Sequence, residues 1–290
     1  MTKKAVFLNG CALFLLVILM HCGIGLQNVA FANNATDLEA HWLFDEAEGT
    51  TVFDSTGNGN TGSLENGPAW TTGWQGSALS FDGTDDYVDV GAVDCGTTGL
   101  SLAVWFLADD LANCSSRDCR LLSKATGTAE DDHYVMLSTI DSGGGTRLRF
   151  RLKTEGETST LKAGAGDLSP GVWTHAAAVY DGNEMRLYKD GVLVGSQWKT
   201  GAISQNEAVP FWIGGNPPSA TSRPWAGQID DVRIYTRGLS DEEVLAVYNG
   251  EDVAPDTTPP SVPGNLMASG VEATQAVLAW DESSDSESGI

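Results

Sequence analysis

The chain has 290 residues, a formal net charge of −23 and 41% apolar residues. This is a globular composition. Its acidity argues against a nucleic-acid partner, which needs a basic footprint, and against an electrostatic hold on anionic membranes. Thirty-four glycines and nine tryptophans, without long helical runs, point to β structure.

Lys3 and Lys4 precede an apolar run from Ala12 to Met20, and Ala30-Phe31-Ala32 supplies a small-x-small cleavage pattern. Residues 1–32 are therefore expected to be a secretory signal. The apolar run is shorter than the ~20 residues of a membrane span. No stable membrane insertion is expected after cleavage, and the mature protein is expected to be secreted or at the cell surface. Cleavage removes two lysines and no acid, so −23 becomes −25. Cys95, Cys114 and Cys119 remain, and an oxidising compartment lets disulfides persist. Cys114 and Cys119 flank a short polar loop and are the favoured pair of three possible ones, leaving Cys95 over.

From Leu38 to Ile234 short alternating segments are separated by Gly, Asp, Asn and Pro. Leu38, Ala40, Trp42 and Phe44 share one face of a first strand, and Leu100, Leu102, Val104 and Phe106 share one face of another. Leu148, Phe150 and Leu152 alternate with Arg147, Arg149, Arg151 and Lys153. That cationic stripe is either a surface for an anionic ligand or a charge balance against acidic neighbours. Trp173, His175, Ala177 and Val179 follow. Residues 185–188 and 192–194 flank an Asp190-Gly191 turn, a hairpin signal. Residues 211–213 and 229–235 are the last strands of this series. The fold class expected is all-β, two antiparallel sheets packed as a sandwich. One short helix is expected after Ser240, with Glu243 completing a capping box and Asn249-Gly250 ending it, placed to close an edge of the sandwich.

After Glu251 the composition changes. The last 40 residues hold eight acids and no Lys or Arg. Residues 251–262 read as a proline-stiffened linker. Two strand-like segments follow in 263–290, too few to be stable alone, and suggest a domain that continues beyond this sequence.

The segments VWTHAAAVYDG (172–182) and MRLYKDGVLV (185–194) resemble the signature of laminin-G-like jellyroll domains, within the concanavalin A-like lectin/glucanase superfamily. GQIDDVRIY (227–235) with LSDEE (239–243) resembles that family's closing strand and helix, and HWLFDE (41–46), DSTGN (54–58) and LSFDG (79–83) also fit. The resemblance covers roughly 37–250, so 33–250 is taken as this domain. PGNL (263–266) and VLAW (277–280) resemble the opening of a fibronectin type III domain.

The resemblance implies a jellyroll sandwich and a choice between glucanase and lectin. Glucanases of this superfamily use acids at i, i+2 and i+4 on one strand face, and no such triplet occurs here. The nearest pattern is Asp85-x-Tyr87-x-Asp89. A non-catalytic module is therefore expected, binding an extracellular glycan or a cell-surface or matrix protein, in a larger secreted protein that could carry a glycoside hydrolase elsewhere. Calcium is the cofactor the resemblance suggests, held by six to eight oxygens. One candidate set is Asp131, Asp132 and Asn216, the first two by likeness to pentraxin lectins. The other is Asp45, Glu46, Asp54, Asn58 and Asp231, where the first strand meets the closing one. For ligand contact, Trp225 and Arg223 are the first choice, because they share a turn-rich loop with Asn216. Trp70, Trp74 and Trp198 lie in similar segments.

Overall fold

The computed structural model describes residues 37–112 and 118–253, and the backbone of two strands at Met267–Glu272 and Gln275–Ala279. The expected signal segment, Cys114, the linker beyond Val253 and the rest of the fibronectin-like tail lie outside the described residues.

The sandwich strands are, in chain order, β1 (Leu38–Trp42), β2 (Thr51–Val52), β3 (Gly62–Glu65), β4 (Ala69–Thr72), β5 (Ser77–Asp82), β6 (Tyr87–Asp89), β7 (Leu100–Ala108) and β8 (Arg120–Ala125). They continue with β9 (His133–Asp141), β10 (Thr146–Thr154), β11 (Glu157–Lys162), β12 (Thr174–Tyr180), β13 (Glu184–Lys189), β14 (Val192–Trp198), β15 (Phe211–Ile213) and β16 (Ala226–Tyr235). The helix α1 spans Asp241–Tyr248, and the two strands of the tail, β17 and β18, pair with each other. The first sheet runs β14-β13-β12-β7-β16-β5-β4, with β1 also on β16; the second runs β11-β10-β9-β8-β15-β6-β3-β2. Every pairing between these strands is antiparallel. The all-β sandwich read from period-two alternation is the observed fold.

Its core is the inward face of both sheets. Ala40, Trp42 and Phe44, then Leu100, Leu102, Val104 and Phe106, then Leu148, Phe150 and Leu152, are all buried there. Burial of each large apolar side chain contributes about 1.5–3 kcal/mol, so a one-residue slip of any long strand is strongly disfavoured. The β13–β14 hairpin turns at Asp190 (φ 52°) and Gly191 (φ 75°), both left-handed as a two-residue hairpin turn requires. Glycine is needed at 191 for a second reason: a Cβ there would lie 2.9 Å from Leu245 of α1.

The helix is capped as expected: Ser240 Oγ accepts from the Glu243 amide at 3.2 Å, and Glu243 Oε2 accepts from the Ser240 amide at 2.8 Å. Its position differs from the expected edge. Val244 and Val247 pack on the outer face of the first sheet, against Ala103, Ala177, Val179, Tyr188, Tyr235 and Leu239. That outer face is itself apolar, so the helix covers a face and makes a third layer there.

Candidate functional site

The outer face of the second sheet has a different character. Antiparallel register places Lys162, Arg149, Ser138 and Arg120 side by side across β11, β10, β9 and β8. The adjacent row on the same face is Thr160, Arg151, Met136, Ser123, Trp212 and Asp89, across β11, β10, β9, β8, β15 and β6. Three strand spacings separate Arg151 from Trp212, about 14 Å. The ring of Trp212 stacks on Tyr87 of β6 at 3.8 Å between centroids. Its indole Nε1 is buried without a hydrogen-bond partner. Buried polar atoms are seldom left so.

Two segments wall this face. One is residues 126–132, where Thr126 donates its amide to the Asp132 carbonyl at 2.9 Å. The other is residues 214–225, tied down where Arg120 donates its amide to the Arg223 carbonyl at 3.0 Å and Trp225 donates to Gly214 at 2.8 Å. Arg223 itself is left-handed (φ 63°), an unfavourable conformation for a non-glycine residue that the surrounding loop enforces.

Asp118, just before β8, gathers the charges. Its carboxylate pairs with Arg120 and Arg149 and lies 3.6 Å from Arg223 Nε. Arg120 and Arg149 are 0% and 4% exposed. Burial pulls the Arg120 guanidinium down to about 9 and Arg149 to about 10, while Asp118 holds both up and the neighbouring arginines push them further down. Arg120 also donates to Asn216 Oδ1 at 2.9 Å and approaches His133 Nε2 at 3.2 Å. His133 Nδ1 meets the Ala129 carbonyl at 2.7 Å and so carries the proton, leaving Nε2 to accept. Burial, with Arg120 and Arg151 beside it, drives His133 down to about 4, so the ring is neutral at pH 7. Arg151 reaches Thr160 Oγ1 at 3.0 Å, and that hydroxyl donates to Glu130. Lys153 bonds the Asp131 carbonyl and lies 4.9 Å over the Tyr134 ring.

The structure brings the expected site residues together only in part. Asn216 is fully buried and committed: its oxygen accepts from Arg120 and Ser123, and its amide group donates to the Gly127 and Pro217 carbonyls. Both lone pairs of its oxygen are thus used within the protein. Asp132 instead accepts from the Ala129 amide at 2.8 Å. In the second set, burial raises Asp54, but the Thr56 hydroxyl and the amides of Thr56, His41 and Asn60 donate to it and hold it below the usual carboxylate range. Asp231 is pinned by His41 at 2.6 Å and Arg233 at 2.9 Å; these partners overcome burial and hold it down to about 2. Asp45 accepts from Ser77, Glu46 from Phe53, and Asn58 donates to Leu38 and Glu39. These side chains are held by separate partners, and no three of the carboxylates lie within 4.8 Å of one another. Among the described residues the carboxylates that do converge are Asp82, Asp85 and Asp86, whose oxygens lie within 4.8 Å of one another. In the sequence Asp82 and Asp85 stand in separate patterns, LSFDG (79–83) and Asp85-x-Tyr87-x-Asp89, and nothing there marks the three as a group.

Trp225 corrects an expectation. It is 1% exposed and packs edge-on against Phe106 at 5.4 Å, so it belongs to the core and cannot meet a ligand. Its segment looked like a loop, but the backbone bond to Gly214 turns the ring inward. Arg223 does lie at the polar face, beside Asp118. Among the other tryptophans, Trp74 (43% exposed) stacks on Trp105 at 3.8 Å and Trp198 is 73% exposed. Cys95 is buried and free, and burial lifts its thiol to about 11. Cys119 is buried, and its expected partner Cys114 lies outside the described residues.

A laminin-G family model of the Concanavalin A-like lectin/glucanases superfamily matches residues 82–245, more than half of the chain. The chain belongs to this superfamily. Pappalysin-1 of Mus musculus is 28% identical over 179 residues, which is 58% of this chain but only 11% of that protein. Among solved structures, domain 4 of AbnA, a GH43 extracellular arabinanase from Geobacillus stearothermophilus solved with arabinotriose, is 21% identical with a TM-score of 0.56. That match covers 73% of this chain and 98% of the other. The binding domain of Paraclostridial Mosquitocidal Protein 1 is 15% identical with the same TM-score, over 74% of this chain and 52% of that one. The receptor-binding domain of botulinum neurotoxin D is 15% identical with a TM-score of 0.54, over 74% and 53%. These likenesses establish the fold. No helix among the described residues is long and apolar enough to cross a membrane.

Proposed function

We propose that this domain is a secreted, non-catalytic carbohydrate-binding module of a larger extracellular protein, and that it recognises its glycan on the loop-walled outer face of the second sheet. The observation that carries the reading is the pair of polar rows there. Preorganised hydrogen-bond donors stand beside a stacked aromatic pair, in which Tyr87 is half-buried and Trp212 is buried. Sugar sites combine an aromatic surface with a few fixed polar groups in this way. Domain 4 of the arabinanase, solved with arabinotriose, supports the reading by likeness of fold. Calcium stays in the proposal as a loop-organising ion suggested by family resemblance.

A glycan array probed with and without EDTA is the test. Binding to at least one oligosaccharide, lost in Arg151→Gln while thermal unfolding is unchanged, is expected. Absence of binding in both conditions overturns the reading. Binding and melting that both ignore EDTA remove calcium from it and leave the sugar face standing. A protein partner is the second reading, favoured by the exposure of Trp198 (73%), Val192 (65%) and Val172 (53%). A matrix or cell-surface protein bound in the absence of any glycan would select it.

A further inference from the structure

The two ends of the second-sheet face differ in charge. The arginines stand on β8 and β10. At the other end the outward residues are Tyr87 and Asp89 of β6, Ser63 and Glu65 of β3, and Trp212 of β15. Alternation puts them there, because Val88 and Ile213 lie in the core and Leu64 packs against it. Register sets Asp89 opposite Ser63 on one side and Trp212 on the other, and sets Tyr87 opposite Glu65. Directly opposite residues have Cβ atoms about 5 Å apart. The Tyr87 ring stacks on Trp212 at 3.8 Å. Burial raises the Tyr87 hydroxyl, and the charges of Glu65 and Asp89 raise it further, so both carboxylates act on one phenol. Tyr87, Glu65 and Asp89 are half-buried and stay within reach of solvent. Neither carboxylate is paired with a cation among the described residues. Glu65 accepts from the Ser63 hydroxyl at 2.8 Å and Asp89 from the Gly91 amide at 2.9 Å. No Lys or Arg stands between Lys4 and Arg117, the stretch that supplies β3 and β6. Arg151 is four strand spacings from Asp89, about 19 Å, well beyond the screening length of about 8 Å at physiological salt.

We propose that this end of the face binds a deacetylated amino sugar, with its ammonium group donating to Asp89 and Glu65 and its ring against Tyr87. This rests on the carbohydrate-binding reading above and names the sugar class that the Tyr87 end of that site takes. An ionised carboxylate only accepts hydrogen bonds, so a ligand here has to donate. An ammonium offers three donors and a charge, and its bonds to carboxylates are roughly twice as strong as those of a neutral hydroxyl. Glu65 and Asp89 are diagonal neighbours, about 7–8 Å apart at the backbone, a span that two carboxylate side chains and one ammonium can close. An aromatic face attracts a cation and also packs against the apolar side of a sugar ring, so Tyr87 serves both parts of the ligand. The stacked Trp212 and the paired strands hold Tyr87 in place. The net charge of −23 draws a cationic ligand in at long range, so affinity falls as salt rises.

The test measures binding of the protein to chitosan oligosaccharides beside N-acetylated chitin oligosaccharides of the same length. It is done in EDTA at pH about 6, where amines are protonated and carboxylates ionised. Neutral arabino- and cello-oligosaccharides and an oligolysine peptide are run alongside. The chitosan member is expected to bind about 10-fold or more tightly than its acetylated partner. Asp89→Asn and Glu65→Gln keep the acceptors for Gly91 and Ser63, and each is expected to cost about 10-fold for chitosan at unchanged melting temperature. Glu242→Gln removes the same charge from α1, over the other sheet, and is expected to cost less than about 2-fold. Equal binding of the amine and its acetylated partner, or binding of neutral sugars alone, overturns the amino-sugar inference and leaves carbohydrate binding in place. Oligolysine bound as tightly as chitosan, or equal losses in all three variants, shows attraction to charge alone and overturns it as well. No binding to any sugar overturns both readings. If a variant fails to fold, the acetylation pair decides, since it needs no substitution.

Discussion

The two sheets differ in what they bury on their outer faces. On the first, α1 lies over Ala103, Ala177, Val179, Tyr188 and Tyr235, and Tyr248 at its last position stacks with Trp74 on Trp105, against which His175 is tilted. On the second, loops lie over Arg120, Arg149, Ser123, Ser138 and Met136. Both faces are largely screened from water, yet one is covered by an apolar helix surface and the other by polar backbone and side chains. Helix cover removes apolar area from water and contributes stability. Loop cover over charged groups returns little stability, since desolvation offsets the ion pairs, but it holds the donors in a fixed geometry.

That contrast can be broken at either face. Trp105→Ala, on the helix-covered face, empties the centre of the aromatic stack and is expected to cost about 3–5 kcal/mol in urea unfolding, with sugar binding per folded molecule unchanged. A loss under 1 kcal/mol would mean the stack is ornamental. Asp118→Asn, on the loop-covered face, leaves Arg120 and Arg149 without a counter-charge and is expected to cost about 3 kcal/mol. If it proves neutral, the cluster is better solvated than its burial implies.

The smallest effect is the most specific. His175 is 1% exposed, its Nδ1 has no partner, and burial drives it to about 4, below the ordinary 6.5. Between pH 6.5 and 4 the unfolded chain therefore holds more protons than the folded one, so the stability associated with neutral His175 is complete above pH 6.5 and is lost as pH falls toward 4. His133 adds to the same slope. Asp230, raised to about 7 by burial, opposes it, because its folded form keeps a proton that the unfolded carboxyl gives up above pH 4. His175→Phe is expected to gain about 1 kcal/mol at pH 7, by removing an unsatisfied buried nitrogen, and to flatten the decline between pH 6.5 and 4. A variant whose midpoint follows the parent's pH profile without change would show that His175 is neutralised by some other route.

Strands with unbroken alternation were legible in the sequence: β7 and β10 bury the residues the period predicts, and the Asp190-Gly191 turn and the Ser240 cap form as their chemistry requires. β8 was not legible. Its register shifts between Arg120 and Leu122, so Leu121 and Leu122 both reach the core and the period of two disappears. The strands β2, β3 and β6 are two to four residues long, too short to show a period. Arg149 and Arg151 were visible as a stripe, but Asp118, Arg120 and His133 carry no local mark. Their meeting depends on pairing between segments that the chain separates by loops.

Local sequence, then, determined which side of each long strand faces inward, because one misplaced register exposes a whole row of apolar side chains. It also set the tight turns and the helix start, which depend on residues within a few positions of one another. Tertiary structure alone decided that Trp225 turns into the core, that Asn216 spends its oxygen on Arg120, and that Arg120, Arg149 and Arg223 converge on Asp118. Those outcomes are set by register across several strands and by the folding-back of two loops, and such long-range geometry leaves no periodic trace in a single chain.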